Sequence, residues 1–422
     1  MSVQVIQAVG ADVVAGLLGN GFNGAIHQPG DAQYDEQRRA LVPTFDSRPL
    51  VVAEAFARSD VQAAVRMARE YGVPIAVQAT GHGTRVPADG GILLKTSAMT
   101  SLLIDPERRI AKVGPGVRWG AVLDAAQDFG LVGLAGSSRD VGVTGYTLGG
   151  GVGWLARKFG YAADSVIRAE VVTADGRVVT ATADEHPDLF WAIRGGTGNF
   201  GIVTSLEFRL YPVSEVYAGI LYFAADAATL KAYRDWTTTI PNDLSTAITL
   251  STRDGRRMIG LKILYAAEAA LAEHLLKPLY AVAGPILDGE LRTTAFAETA
   301  MGGTPARYLD LVDELPDDLL DALAALDGPT VELRHWSGAM ANPGPGAGPV
   351  AHRGAPYSLI IDQEVPELAE VLRPTGRTFV NFLADPARTS TAYATTDHTR
   401  LRAIKRRYDP ENLFRLNHNI RP

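Results

Sequence analysis

Between Gly136 and Gly153, seven of eighteen residues are glycine: Gly136, Gly142, Gly145, Gly149, Gly150, Gly151 and Gly153. Glycine at this density weakens regular helices and strands, so the backbone must bend through positive φ or pass close to something else. Val141, Val143, Tyr146, Leu148, Val152 and Trp154 are interleaved with the glycines, which argues for a loop anchored in a core rather than a flexible linker. A second group, "RGGTGNFG" from Arg194 to Gly201, contains G-x-G-x-x-G at Gly196, Gly198 and Gly201. That spacing marks a dinucleotide-binding turn only when a strand precedes it and a helix follows. Here "DEHPDLFWAIR" places Leu189, Phe190 and Ile193 at helical spacing before the glycines. After them, "IVTSLEFRL" alternates Val203, Leu206, Phe208 and Leu210 with polar residues, as a strand does. The order is reversed, and a nicotinamide dehydrogenase is not what this segment encodes.

A chain of 422 residues, 46% hydrophobic, has material for two domains. With 40 basic and 47 acidic side chains and a net charge of −7, nucleic acid and anionic membranes are poor partners. Cysteine is absent, which removes disulfides, thiolate nucleophiles and zinc ribbons. The N-terminus lacks a basic stretch ahead of an apolar run, and no long uncharged apolar segment occurs; the expectation is a soluble, cytoplasmic protein. Neither a G-x-S-x-G elbow nor an H-E-x-x-H pair is present, so neither a hydrolase nor a metal site is expected.

The first 35 or so residues, within an N-terminal segment over 1–39, read as a short helix and a polar loop. "PLVVAEAF" (49–56) and "VPIAVQAT" (73–80) read as strands around a helix capped by Ser59 and Asp60 and stopped at Gly72. From about residue 214, amphipathic helices alternate with hairpin strands, including a turn at Asp254–Gly255. A Pro/Gly-rich excursion spans 341–356, and "RTFVNFLADP" reads as a strand before a last helix and a polar tail. The fold class expected is α+β: a two-subdomain unit over 40–213, a second α+β domain with an antiparallel sheet over 214–375, and a returning segment over 376–422.

Four stretches, "QATGHGT" (78–84), "GSSRDVGVTGYTLGGGVGWLARKFG" (136–160), "RGGTGNFGIVT" (194–204) and "YDPENLFRLNHNI" (408–420), occur in this order. Together they resemble the FAD-linked oxidases with a vanillyl-alcohol-oxidase-type (PCMH-type) flavin domain, in their berberine-bridge-enzyme-like branch, across nearly the whole chain from residue 40. The resemblance implies FAD held between two subdomains, with the second domain covering the flavin ring and carrying the substrate pocket. It implies hydride removal from an alcohol, sugar hemiacetal, amine or secondary-metabolite intermediate, with dioxygen accepting the electrons. A dehydrogenase using another acceptor and a non-catalytic flavin-binding protein stand as alternatives.

By the same resemblance, Thr80, Gly81, Gly83 and Thr84 form a pyrophosphate-facing loop, a use of backbone N–H groups that needs no lysine. His82 is the family's site of covalent attachment to the flavin. Ser138 stands where bicovalent relatives have cysteine, so a second link is excluded. Val141 matches the position that admits or blocks oxygen. Gly142, Gly145, Tyr146, Gly149, Gly150, Gly153 and Leu155 line or support the cofactor, as do Gly201, Ile202 and Val203, with Asn417 and Asn419 in the tail. The family's C-terminal Y-x-N is replaced by Phe379, Val380 and Asn381, which removes a tyrosine base. Tyr146, His335 (beside Arg334) and Tyr357 are the catalytic candidates that remain, with Glu332 and His352 as further options.

Overall fold

The computed structural model describes residues 3–42, 45–299 and 301–422; Met1 and Ser2 of the N-terminal segment lie outside them. That segment contains more than a short helix. A helix over Val3–Gly19 packs on the helix Arg58–Glu70, and a strand, β1 (Ala25–His27), pairs antiparallel with β2 (Val51–Glu54). β3 (Ile75–Gln78) and β4 (Ile92–Lys95) complete a sheet of order β1-β2-β4-β3, in which β2 and β3 both run parallel to β4. The 58–70 helix begins because Asp60, 1% exposed, accepts the N–H groups of Phe56 and Ala57 at 2.9 Å and also that of Asn23. A carboxylate in the first turn satisfies donors that the helix itself cannot.

β5 (Leu102–Asp105), β6 (Ile110–Val113), β8 (Val166–Val172), β9 (Val178–Ala181) and β10 (Ile202–Arg209) form a second, antiparallel sheet of order β5-β6-β10-β8-β9. A two-stranded ladder joins β7 (Leu131–Val132) to β11 (Tyr211–Pro212). As the sequence pattern implies, the helix Pro187–Ile193 precedes the second glycine group and β10 follows it.

The third sheet has seven antiparallel strands: β12 (Val216–Ala224), β13 (Leu244–Arg253), β14 (Arg256–Tyr265), β15 (Asp288–Thr294), β16 (Tyr308–Val312), β17 (Val331–His335) and β18 (Tyr357–Ile361), in the order β15-β12-β14-β13-β17-β18-β16. Asp254 and Gly255, at φ 48° and 73°, make the two-residue turn between β13 and β14 that right-handed strand twist favours. Side chains alternate across this sheet. Leu221, Ile248, Leu261, Leu333 and Leu359 face the helices 227–237, 269–283 and 317–325 through one core. The opposite face turns to the glycine loops: Leu309, Leu311, Trp336 and Ile360 pack with Val152, Ala156, Tyr161 and Phe379.

The expected strand at "RTFVNFLADP" does not form. Val380–Phe382 is a 3-10 turn, and the chain continues through a second such turn at Pro386–Ala392 to the helix Thr395–Tyr408. Side chains hold this segment instead of a ladder. Phe379 stacks on Tyr161 at 5.6 Å between ring centres, and Asn381 reaches across to the glycine loop.

Candidate functional site

The loop after β3 turns at Gly81, whose φ of 82° suits glycine. His82, half-buried, places Nδ1 3.0 Å from Thr80 Oγ1. Thr80 in turn touches the second loop, because a Cβ on Gly142 would lie 3.2 Å from its side chain. Burial first, and then the charge of Arg118, hold the His82 pKa below the ordinary histidine range, while Asp140 acts in the other direction. The imidazole is therefore neutral near pH 7, with one ring nitrogen carrying a lone pair.

Gly142 caps the short helix Val143–Leu148. A side chain at Gly83, Gly145 or Gly198 would meet nothing within 4 Å. The later glycines are packed against protein. A Cβ on Gly149 would strike Asn381, one on Gly150 would strike Phe379, and one on Gly153 would lie 1.9 Å from the Ala135 carbonyl oxygen. Asn381 donates to the Tyr146 carbonyl at 3.1 Å and accepts from Gly151 N–H at 3.1 Å. The returning segment thus fixes the loop from behind. Leu155 is buried in the adjoining core, Ser138 is exposed, and Val141 is half-buried.

The second glycine group receives the tail. Asn199, fully buried, donates to the carbonyls of Gly196 and His418 and accepts the N–H of Ile420. Gly201, at φ 155°, lets the chain pass within 2.7 Å of where a Cβ would meet the Val172 carbonyl. Ile202 and Val203 then enter β10 as buried residues. Lys405 and Asp409, both fully buried, pair at 2.5 Å; Lys405 also donates to the Asn199 and Phe414 carbonyls, and Asp409 accepts Leu413 and Phe414 N–H. Sequence reasoning passed over Asn199, Lys405 and Asp409, although a Lys–Asp pair four apart at a helix end is a readable signal.

A cofactor site should leave polar atoms that the protein does not satisfy. Among the described residues, Thr144 Oγ1, Thr147 Oγ1, Asn417 Oδ1 and Asn419 Oδ1 are buried without partners. With the open glycines at 83, 145 and 198, these atoms fit a long polar group such as FAD.

On the sheet face turned toward the loops, Glu332 (β17) is fully buried. Its Oε1 accepts Arg334 Nε at 3.0 Å and lies in ion-pair contact with Nη2 at 2.7 Å; its Oε2 accepts Lys262 Nζ at 3.0 Å and the Thr304 hydroxyl at 3.2 Å. Burial would raise the Glu332 pKa, but the charges of Arg334 and Lys262 hold it below the ordinary range. The Arg334 guanidinium lies over the Trp154 ring, 4.7 Å from its centre.

Two of the expected catalytic residues point the other way. His335 and Tyr357 are cross-strand partners on the helix-packed face. The Tyr357 hydroxyl is 2.7 Å from Thr237 Oγ1 and donates to the Arg234 carbonyl at 3.2 Å. His335 Nε2 sits 3.0 Å from Arg157 Nη1, so it accepts and the ring is neutral. Period-two alternation puts Glu332 and Arg334 on the face toward the loops; His335, at the strand end, is taken up by Arg157 of the 136–160 stretch. Tyr146 does lie at the loops, but its hydroxyl donates to the Leu134 carbonyl at 3.1 Å, and burial raises its pKa far above the ordinary tyrosine value. It is a structural bridge rather than a ready base. His352 is anchored to the Thr391 carbonyl at 2.9 Å.

Two buried histidines give a pH signature. Burial, then Arg157, pushes His335 down to about 3; burial, then Arg85, pushes His418 down to about 4. Above pH 6.5 both are neutral in folded and unfolded chains and contribute nothing. Below it the unfolded chain gains protons that the fold refuses, so stability falls as pH drops from 6.5 toward 4, by roughly 1.4 kcal/mol per pH unit for each histidine. Urea unfolding across this range is expected to show that slope, reduced in His335→Gln.

Comparison with known proteins agrees with this geometry. Residues 49–182 match the "FAD binding domain" family and residues 378–421 the "Berberine and berberine like" family. The chain is 30% identical to (R)-6-hydroxynicotine oxidase of Paenarthrobacter nicotinovorans, over 95% of its own length and 97% of the relative's. It shares 37% identity with a xylooligosaccharide oxidase of Thermothelomyces thermophilus over 39% of this chain and 34% of that one. Among solved structures, Physcomitrella patens BBE-like 1 superposes with a TM-score of 0.86 at 23% identity, covering 97% of this chain and 99% of that one. The glucooligosaccharide oxidase of Acremonium strictum, described with a 6-S-cysteinyl, 8α-N1-histidyl FAD, superposes with a TM-score of 0.82 at 22% identity, covering 97% and 99%. With no cysteine in its sequence, this chain has no cysteinyl link, and it belongs to the berberine-bridge-enzyme-like family of FAD-dependent oxidoreductases.

Proposed function

We propose that the protein is an oxidase of a small or medium organic molecule, binding FAD between the glycine loops and the third sheet. The carrying observation is the apposition of two unlike surfaces: loops with unsatisfied polar atoms, and a sheet face bearing Lys262, Glu332 and Arg334. Thr80, Gly81, Gly83 and Thr84, with Gly142 and Gly145 in the adjoining loop, would offer backbone donors to the diphosphate; Asn417 and Asn419 would offer tail amides. His82, neutral and next to both loops, would carry the covalent bond. When bound, FAD supplies the two-electron acceptor, and dioxygen the onward oxidant.

The chain's own part is positioning. Trp154 under Arg334 makes an apolar wall beside the charged cluster, so a substrate would have its polar end held and its carbon end kept from water. Glu332, with both oxygens engaged by three donors and an ion-pair contact, orients the two cations and is poorly placed to accept a proton. The domain limits proposed are those read from the sequence, 40–213, 214–375 and 376–422, with the third returning to the first.

The purified protein is expected to be yellow, with one FAD per chain. Its flavin, once reduced by dithionite, should reoxidise rapidly in air with release of hydrogen peroxide. A colourless protein that takes up no FAD overturns the cofactor reading. Slow reoxidation in air, with fast reoxidation by a quinone, overturns the oxidase reading in favour of a dehydrogenase.

A further inference from the structure

The charged cluster on the third sheet is not neutral. Lys262 and Arg334, 5% and 7% exposed, share the single carboxylate of Glu332. At the end of the same strands, Arg157, 3% exposed, holds only neutral groups: the carbonyls of Leu244, Trp336 and Pro241 and the ring nitrogen of His335. Among the described residues no second carboxylate acts on Lys262 or Arg157. Two buried cations against one buried anion, with Arg157 facing no carboxylate, is a costly arrangement unless a further anion completes it.

The hydrogen-bond inventory has the same bias. Glu332 is saturated, while donors are left over. Arg334 Nη1 has no partner among the described residues. Ser358, directly opposite Arg334 on β18 and 1% exposed, has a buried hydroxyl without a partner. Trp154, whose ring underlies the guanidinium, has a buried indole N–H without a partner. A ligand group suited to these donors is acceptor-rich, negatively charged and planar enough for a guanidinium fork.

We infer that this face receives a carboxylate, so that the molecule oxidised is an organic acid held through Arg334 and Ser358, with Lys262 adding positive charge from beyond Glu332. The inference rests on the oxidase reading for the word "oxidised", but the anion site stands on the protein alone. An uncharged sugar or an amine would leave the excess positive charge uncompensated, and an ammonium group would add to it. The aromatic surface of Trp154 beside the guanidinium suits an apolar body attached to the acid.

The test uses the holoprotein and matched probes: benzoate and its neutral isostere benzamide, with acetate as a smaller acid and benzylamine as a cation. Binding is read by two signals, flavin absorbance and tryptophan fluorescence, the second being available even if no flavin is present. Benzoate is expected to bind at least tenfold more tightly than benzamide, and benzylamine not at all. Ser358→Ala should weaken benzoate about threefold to tenfold with FAD content unchanged. Arg334→Met should abolish the preference for benzoate over benzamide, and Glu332→Gln, which removes the competing anion, should strengthen benzoate. Equal affinity for benzoate and benzamide, or saturable binding of benzylamine alone, overturns the inference. So does failure of both acids to perturb either signal. A protein without FAD that still binds benzoate in the fluorescence arm would sink the cofactor reading and leave the anion site standing.

Discussion

Lys405→Met is expected to lower the unfolding free energy by about 3–5 kcal/mol, the usual consequence of stranding one member of a buried ion pair. Asp409 would be left charged and fully buried, with only the Leu413 and Phe414 N–H groups for compensation. The same substitution removes donors to the Asn199 and Phe414 carbonyls, and so loosens the tail from the second glycine group. In Lys405→Met the native flavin environment should therefore collapse at denaturant concentrations that leave the wild type intact, while the His82 bond keeps the colour on the polypeptide. The double variant Lys405→Met/Asp409→Asn should recover a substantial part of the loss, because no unpaired charge remains. Equilibrium denaturation followed by tryptophan fluorescence and by flavin absorbance gives both numbers. A single variant as stable as the wild type would mean that water reaches Asp409.

His82→Ala is expected to convert all of the flavin from bound to releasable. In wild type, acid or denaturant should leave the yellow colour on the polypeptide, with an intact mass increased by one FAD. In the variant the colour should pass to the filtrate. The fold should survive, since the His82 side chain is half-buried and, among the described residues, its polar contact is to Thr80. The loops that would hold the diphosphate do not depend on it. Losing an electron-withdrawing substituent should also lower the flavin potential, measurable by dye-coupled reduction. Complete release of flavin from denatured wild type would show His82 to be a packing residue.

Most of the architecture was readable because its signals are local. The helix–glycine–strand order around Gly196–Gly201, the Asp254–Gly255 hairpin and the irregular 341–356 loop depend on spacing and turn chemistry within a dozen residues. The failures are non-local. "RTFVNFL" has strand-like composition, yet Phe379 and Asn381 find partners at Tyr161 and Gly151, more than two hundred positions away. β1 was hidden because three residues with a burial pattern of exposed, intermediate and buried carry almost no periodicity. The turns of the glycine loops were legible in the sequence, but the face of the third sheet turned toward them was not. Whether His335 or Arg334 looks toward the glycine loops depends on a register that one residue of slip inverts. The alternating strand "VELRH" contains the answer only once Val331 and Leu333 are seen to belong to the helix-side core.

The clamp between Asn199 and residues 418–420 has a consequence during synthesis on the ribosome. The loop at 194–201 is made early, whereas its partners arrive more than two hundred residues later, and the Asn381 contacts to the 146–151 loop are delayed in the same way. Closing such distant contacts is the slow, entropically opposed step of folding. The glycine loops therefore emerge unlocked, and a nascent chain presents them half-assembled until the last helix and tail dock. A proteolytic clip that frees 409–420 would return the mature protein to that state, making the tail a checkpoint on which chains are complete enough to keep a cofactor.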